Sequence, residues 1–366
     1  MAAGAHMRRR VGILGAAVIA VILVAGYLYR GAASFVAASG LEHYRHLMVF
    51  DFAASEKFVS FPVVLAPDTA GLILFDRTTG DRRIVYDDSV IMRSPFLSSD
   101  GKRLLFVRRK VPHDEKELIS CMISGWMCEI IHKTTATLFS PVEIAPDVIL
   151  YSSSPLTRVD GRMRADHHDL FMLKKGSPPV RLTQFDAYQL NPISVRGGHV
   201  MFSAFHGPGL RGYSGTDVIP VPSAEAAARS EIFRLDLADL DGRDIVPKQP
   251  IKPHYLIAGY SSHASVADNG DHAAFLNRRN RQGQTHFNLA IADSTEKIIQ
   301  YIEARGFGFS RPAFVGRSIV ANELLPDRYE VTEFALTGDR RRVILQLDYS
   351  VDALKALPRL SLSGGA

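Results

Sequence analysis

The densest group of potential ligands in the sequence is Asp166-His167-His168-Asp169. Two imidazoles and two carboxylates are suitable donors for a divalent metal. On a strand, however, adjacent side chains point to opposite faces, so one ion could take only some of them. His206, His254 and His263 lie in other parts of the chain and would have to converge to complete a site. The alternative is that His167, His168 and Asp169 are ordinary residues at the start of a strand. No cofactor is predicted.

A second candidate is cationic. Arg108, Arg109, Lys110, Arg158, Arg162, Arg164, Arg211, Arg278, Arg279 and Arg281 fall in a few polar segments, interrupted by Asp114, Glu115, Asp160 and Asp166. Arginine forks can hold carboxylates in bidentate fashion, so together with His167 and His206 these residues suit an acidic glycan or an acidic peptide. The competing reading is a solvated charged surface.

The sequence contains two cysteines, in Cys121-Met122-Ile123-Ser124-Gly125-Trp126-Met127-Cys128. The Ser124-Gly125 turn would bring two strands together with Cys121 facing Cys128. In an oxidising compartment such a pair can form a disulfide; two free thiols are the alternative. The spacing is not that of a Cys-x-x-Cys redox motif. Gly212-Tyr213-Ser214-Gly215-Thr216 resembles a nucleophile elbow but lacks the final glycine and the strand-turn-helix setting. No phosphate-binding loop and no His-Glu-x-x-His motif occurs, so no catalytic residue is assigned.

The elements that must position these residues are short strands. Leu72-Ile73-Leu74-Phe75, Arg103 to Val107 and Val148 to Tyr151 are β-branched or aromatic runs too short for helices. Asp-Gly, Gly-Gly and Asn-Gly turns separate such runs; Ser223 to Arg229 is a helical candidate inside a long loop. The order recurs. Ser94-Pro95 opens a strand, an Asp100-Gly101 turn and a second strand, and comparable units begin at Ser140-Pro141, Asn191-Pro192, His263-Ala264 and Arg311-Pro312. The period, about 45–50 residues, is that of four-stranded propeller blades. These five units, with one from Leu47 to Tyr86, predict an all-β, six-bladed propeller over residues 44–366, with Tyr349 to Leu354 competing to close it. A β-sandwich is the alternative. The long connections, between second and third strands, are Arg108 to Glu117, Ser153 to His167, Phe205 to Arg229, Asn277 to Thr285 and Leu324 to Arg328. They should share one side, where functional loops would be displayed.

Ser94 to Phe106 resembles the Pro-x-Trp-Ser-Pro-Asp-Gly-Lys-x-Ile-x-Phe unit of the TolB-like (WD40-like) β-propeller family. His168 to Leu173, continued by Val180-Arg181-Leu182-Thr183, resembles the rest of that unit. The resemblance implies the fold and leaves function open, because such repeats serve periplasmic scaffolds, the propeller halves of serine peptidases and some polysaccharide lyases.

Val11 to Tyr29 is an unbroken apolar run of about nineteen residues, near the length that spans a bilayer as one helix. Arg8, Arg9 and Arg10 precede it and would hold residues 1–10 in the cytoplasm. Residues 30–43 become a linker, and the rest lies outside the cytoplasm beside an inner membrane. A cleaved signal peptide ending near Val36-Ala37-Ala38 is the alternative. The formal net charge is +5; removing Arg8, Arg9, Arg10 and Arg30 leaves +1 for the remainder, which argues against nucleic acid as a partner. At 46% hydrophobic and 22% charged residues, the composition is that of a folded domain. The expected role is a single-pass, membrane-anchored, protein-binding scaffold of an envelope assembly. The alternative is an acidic-polysaccharide binding protein or lyase.

Overall fold

The computed structural model describes residues 50–66, 69–87, 89–110, 115–159, 162–165, 167–183, 189–196, 199–205, 230–236, 261–267, 272–281, 284–293, 297–336 and 341–362. The predicted span 11–29, the linker, Leu47, His206, Arg211 and the helical candidate at 223–229 lie outside these residues. Among the described residues, no helix is long and apolar enough to cross a membrane.

The described chain is almost entirely antiparallel meanders. The first sheet comprises β1 (Ala53–Ala54), β2 (Phe58–Ala66), β3 (Thr69–Asp76) and β4 (Arg82–Tyr86). The second comprises β5 (Ser89–Leu97), β6 (Arg103–Lys110), β7 (Lys116–Met122) and β8 (Met127–Thr134). In the third, β9 (Phe139–Ala145) and β10 (Val148–Ser153) are followed by a separate hairpin, β11 (Thr157–Val159) and β12 (Arg162–Arg164). The sheet resumes with β13 (Asp169–Lys174) and β14 (Val180–Arg181). Next come β15 (Gln189–Arg196), β16 (His199–Phe205) and β17 (Ser230–Asp236). A nine-stranded sheet then joins β18 (Ser261–Val266), β19 (His272–Arg281), β20 (Gln284–Asp293) and β21 (Ile298–Ile302) to β22 (Gly308–Phe309), β23 (Ala313–Val315), β24 (Ser318–Leu324), β25 (Arg328–Ala335) and β26 (Arg341–Asp348). Helix α1 (Val351–Lys355) and β27 (Arg359–Leu360) end the chain.

Successive sheets pack face to face. Alternate residues of a central strand therefore enter different cores, which is why these strands read as continuous apolar runs. Ile73 and Phe75 pack with Val320, Tyr329 and Val331 of the last strands. Leu72 and Leu74 pack with Leu104, Phe106 and Ile119. Leu105 and Leu118 pack with Ile149 and Tyr151, and Leu276 and Leu289 with Phe309 and Ile319. β15 bridges the remaining step, touching β9 and β10 on one side and β18 on the other.

The repeat anchors in the sequence mark β-bulges. Ser94-Pro95 oppose one residue of β6 between Arg93↔Val107 and Phe96↔Leu105. The same extra residue occurs at Ser140-Pro141, at Asn191-Pro192 and at His263-Ala264. At Arg311-Pro312 the first strand is interrupted between β22 and β23. Proline has no N–H for a ladder, so it sits where the ladder is already open, and the bulge adds twist to the first strand. Ser94 and Ser140 both take positive φ there, 52° and 48°.

Two sequence expectations change. Tyr349 to Leu354 is not a closing strand. The Ser350 N–H donates to Asp348 Oδ1 (2.6 Å), α1 follows, and Leu354 is buried against the first and last sheets. Pro358 then frees the chain for β27, which pairs in parallel with β4. Asn277 to Thr285 is not a loop, because the β19–β20 ladder continues to Arg281↔Gln284. Ser140 to Asp147 carries a turn despite lacking Asp-Gly: Asp147 takes φ 60°, where aspartate is among the few non-glycine residues tolerated. The Asp100-Gly101 turn forms as the sequence implies, with Gly101 at φ 67° and Asp100 Oδ1 accepting from Ser98 Oγ and the Lys102 N–H.

Candidate interaction face

Each second strand runs toward its connection with the third, so the described ends of the second strands lie on one side of the propeller. Arg108 lies at this side but is buried. Its guanidinium donates to Glu117 Oε2 and to Asp87 Oδ2 (2.8 Å). Lys110 also meets Asp87 (3.2 Å), and Lys133 meets Glu117 (3.0 Å). Burial pushes the Glu117 carboxyl up, but the hydrogen bonds from Arg108 and Lys133 outweigh it and hold it below the usual range. Arg108 is thus a structural cation of the second sheet; Arg109 continues β6 opposite Lys116.

Asp166 lies outside the described residues, and His168 and Asp169 are drawn into the third sheet. Asp169 is buried and accepts from Arg181 and from Thr183 Oγ1 (2.7 Å), while the His168 ring is buried beside Phe139, with Nε2 3.4 Å from Thr137 Oγ1. The His167 N–H donates to Ser154 Oγ (3.1 Å). Among the described residues, no three His, Cys, Asp or Glu side chains form a metal-binding group.

The remaining described arginines of the set stand on two hairpins. Arg158, Arg162 and Arg164 belong to β11–β12, with register Arg158↔Met163, Val159↔Arg162 and Thr157↔Arg164, and Arg158 is exposed. Arg278, Arg279 and Arg281 lie on the β19–β20 extension, opposite Phe287, His286 and Gln284. Among the described residues, the structure therefore separates the cationic set into Arg108, Arg109 and Lys110 on β6 and two strand-built arms.

One polar cluster was not singled out from the sequence. Glu323 and Glu330 face each other across β24 and β25, and both side chains are at most 1% exposed. Arg305 donates to both carboxylates, Arg341 reaches Glu330 Oε1 (3.1 Å), and Gln346 Nε2 donates to Glu330 Oε2 (3.0 Å). Burial pushes Glu330 up, yet the bonds from Arg305 and Gln346 hold its carboxyl below the usual range. The available signal was an acid within the apolar run Ile319 to Leu325.

Cys121 and Cys128 are directly opposed on β7 and β8 and are joined by a disulfide, with Cα atoms 4.0 Å apart. The hairpin they staple holds residues 360–362. Trp126 Nε1 donates to Ser361 O (2.7 Å), and Leu360 and Leu362 pack on the same core as Cys121. Arg359 lies over the Tyr86 ring (4.3 Å).

No family model matches the chain, and no curated protein does. Solved structures resemble it. TolB from Acinetobacter baumannii superposes with a TM-score of 0.54 at 15% identity, over 78% of this chain and 62% of its own. Kuenenia stuttgartiensis hydrazine synthase gives 0.50 at 14%, over 78% of this chain and 44% of its own. The β-propeller domain of the trilobed protease from Pyrococcus furiosus gives 0.43 at 10%, over 80% and 81%. The chain thus spans about 62% of the length of TolB and 44% of that of the hydrazine synthase chain. At 15% identity the likeness to TolB shows the fold, an all-β propeller.

Proposed function

We propose that this chain is a six-bladed propeller, anchored in a cytoplasmic membrane by residues 11–29, that binds protein outside the cytoplasm as part of an envelope assembly. The apolar run with its leading arginines supports the anchor, and a disulfide suits an oxidising compartment. The four-stranded meanders at regular spacing support the blade count.

The observation that carries protein binding is the outer rim. Edge strand β8 exposes Met127 (64%) and Ile130 (45%), and the edge strand of the adjacent sheet, β14, exposes Val180 (40%). Lys175 of the third sheet bonds Glu129 on β8 (2.9 Å), drawing the two edges together. Unpaired edge strands with apolar side chains recruit further chains. A photo-crosslinking residue placed at Met127 or Ile130 of the full chain should yield a discrete protein adduct in native membranes. The same residue at Thr79, in an exposed turn, should not. Equal, diffuse labelling at all three positions would sink the reading.

A further inference from the structure

We infer that the two arginine arms are a contact surface for anionic lipid headgroups; this rests on the proposed membrane anchor and deepens it. The arms are built alike. Residues 157–164 and 278–285 contain six arginines and one acid, Asp160. Both form the connection between the second and third strands of their sheets, so they rise on the same side. The β19–β20 arm outruns its neighbours: β18 pairs with β19 only up to Asn277, and on the other edge the last partner of β20 is β22, at Phe287. The three rungs beyond Phe287, from Arg279↔His286 to Arg281↔Gln284, extend it by about 10 Å.

The first described residue, Phe50, lies on that side. Phe50 packs edge-on to Phe287 at the root of the second arm (4.6 Å), and the Arg311 N–H donates to Phe50 O (3.2 Å). A linker of about fourteen residues spans at most about 50 Å however it is arranged. An anchored propeller therefore stays close to the bilayer, and the side that carries Phe50 is the one the leash draws in.

Among the described residues, acids of the same side are engaged by bases of the sheets: Asp51 by Arg93 (3.2 Å), Asp87 by Arg108, Glu115 by Lys133, Glu117 by Arg108 and Lys133, and Asp327 by Arg328. Each arginine near an anionic leaflet contributes about 1 kcal/mol, fading within a Debye length of about 8–10 Å. That suits a repeated cationic arm better than a pocket for one ligand.

The test is hydrogen exchange of the full chain in nanodiscs of phosphatidylcholine alone and of phosphatidylcholine with phosphatidylglycerol. The amides of 157–164 and 278–287 should exchange about tenfold more slowly with the anionic lipid, a change equivalent to 1.4 kcal/mol. The protection should vanish in high salt and when the six arginines become glutamine, and survive when they become lysine. Unchanged protection across β24 and β25 would show that the glutamine variant is folded. Residues 11–29 should be protected in both lipids. If they are, and the arms exchange equally in both lipids, the inference is overturned and the anchor stands. If residues 11–29 exchange freely in both lipids, the anchor reading fails, whatever the arms do. Protection of the arms by soluble polyuronate but not by phosphatidylglycerol would overturn the lipid assignment in favour of an acidic glycan.

Discussion

Replacing Gly306 with alanine is expected to lower stability by about 4 kcal/mol, one of the largest effects of any single methyl added to this chain. A Cβ at Gly306 would lie 2.1 Å from Leu324 O and 2.9 Å from Leu325 Cα. Both are backbone atoms, so no side chain can swing aside. Nor can the segment retreat cheaply. The Phe307 N–H donates to Leu324 O (3.0 Å), the Gly306 carbonyl accepts from His286 Nδ1 (2.9 Å), and the Arg305 N–H donates to Glu323. Overpacking typically costs about 1–3 kcal/mol, and each buried polar group left unpaired about 1–3 more. Thermal unfolding should drop by roughly 6–8 °C for a domain of this size. Gly176→Ala is the control: its φ is 77° and a Cβ there meets nothing within 4 Å, so only the left-handed backbone penalty of about 1–2 kcal/mol applies. Equal melting of the two variants would refute the packing described around Gly306.

Arg305→Met should cost about 2–3 kcal/mol near neutral pH, with a characteristic pH dependence. Breaking a buried ion pair typically costs about 3–5 kcal/mol because the surviving charge stays buried. The Arg305 side chain is 44% exposed, so solvent already screens part of the interaction and the lower figure applies. Two carboxylates opposed on neighbouring strands repel, and the methionine variant leaves Arg341 as their main cation. In the wild type the Glu330 carboxyl is held below its usual range. Its stabilising contribution is therefore present above the unfolded value of about 4.3 and is lost as pH falls through the lower folded value. The gap between wild type and variant should be widest at neutral pH and close below about pH 4. Urea titrations across that range measure it; a gap that stays constant or grows on acidification would contradict the network.

Much of the fold was legible because its repeat is written in residues with obligatory backbone consequences. Ser94-Pro95, Ser140-Pro141 and Asn191-Pro192 announce bulges, since proline cannot donate to a ladder. The β19–β20 arm was not legible as strand. Arg278 to Thr285 is polar throughout, and a solvated hairpin needs no apolar alternation once its ladder is seeded by buried Phe275 and Leu276. The clasp at Arg359–Leu360 is only two residues long, below any periodic signal, whereas Tyr349 to Leu354 offered an apolar run that Asp348 and Ser350 turn into a helix. The buried fate of Arg108 was hidden for another reason. Its partners Asp87 and Glu117 lie 21 and 9 residues away, and only the registers of β6 with β5 and β7 reveal that they meet. The Glu323 and Glu330 pair likewise depends on Arg305 arriving from outside their hairpin.

The central claim, a propeller held outside the cytoplasm by its N-terminal segment, is tested most directly by a membrane-impermeant amine-reactive label. It would be applied to intact spheroplasts of a bacterial host producing the full chain. Lys102 and Lys175, whose side chains are 69% and 52% exposed, should be labelled before lysis, and the labelled chain should remain with membranes through an alkaline carbonate wash. Labelling that requires lysis, or a labelled chain released by the wash, would contradict the account.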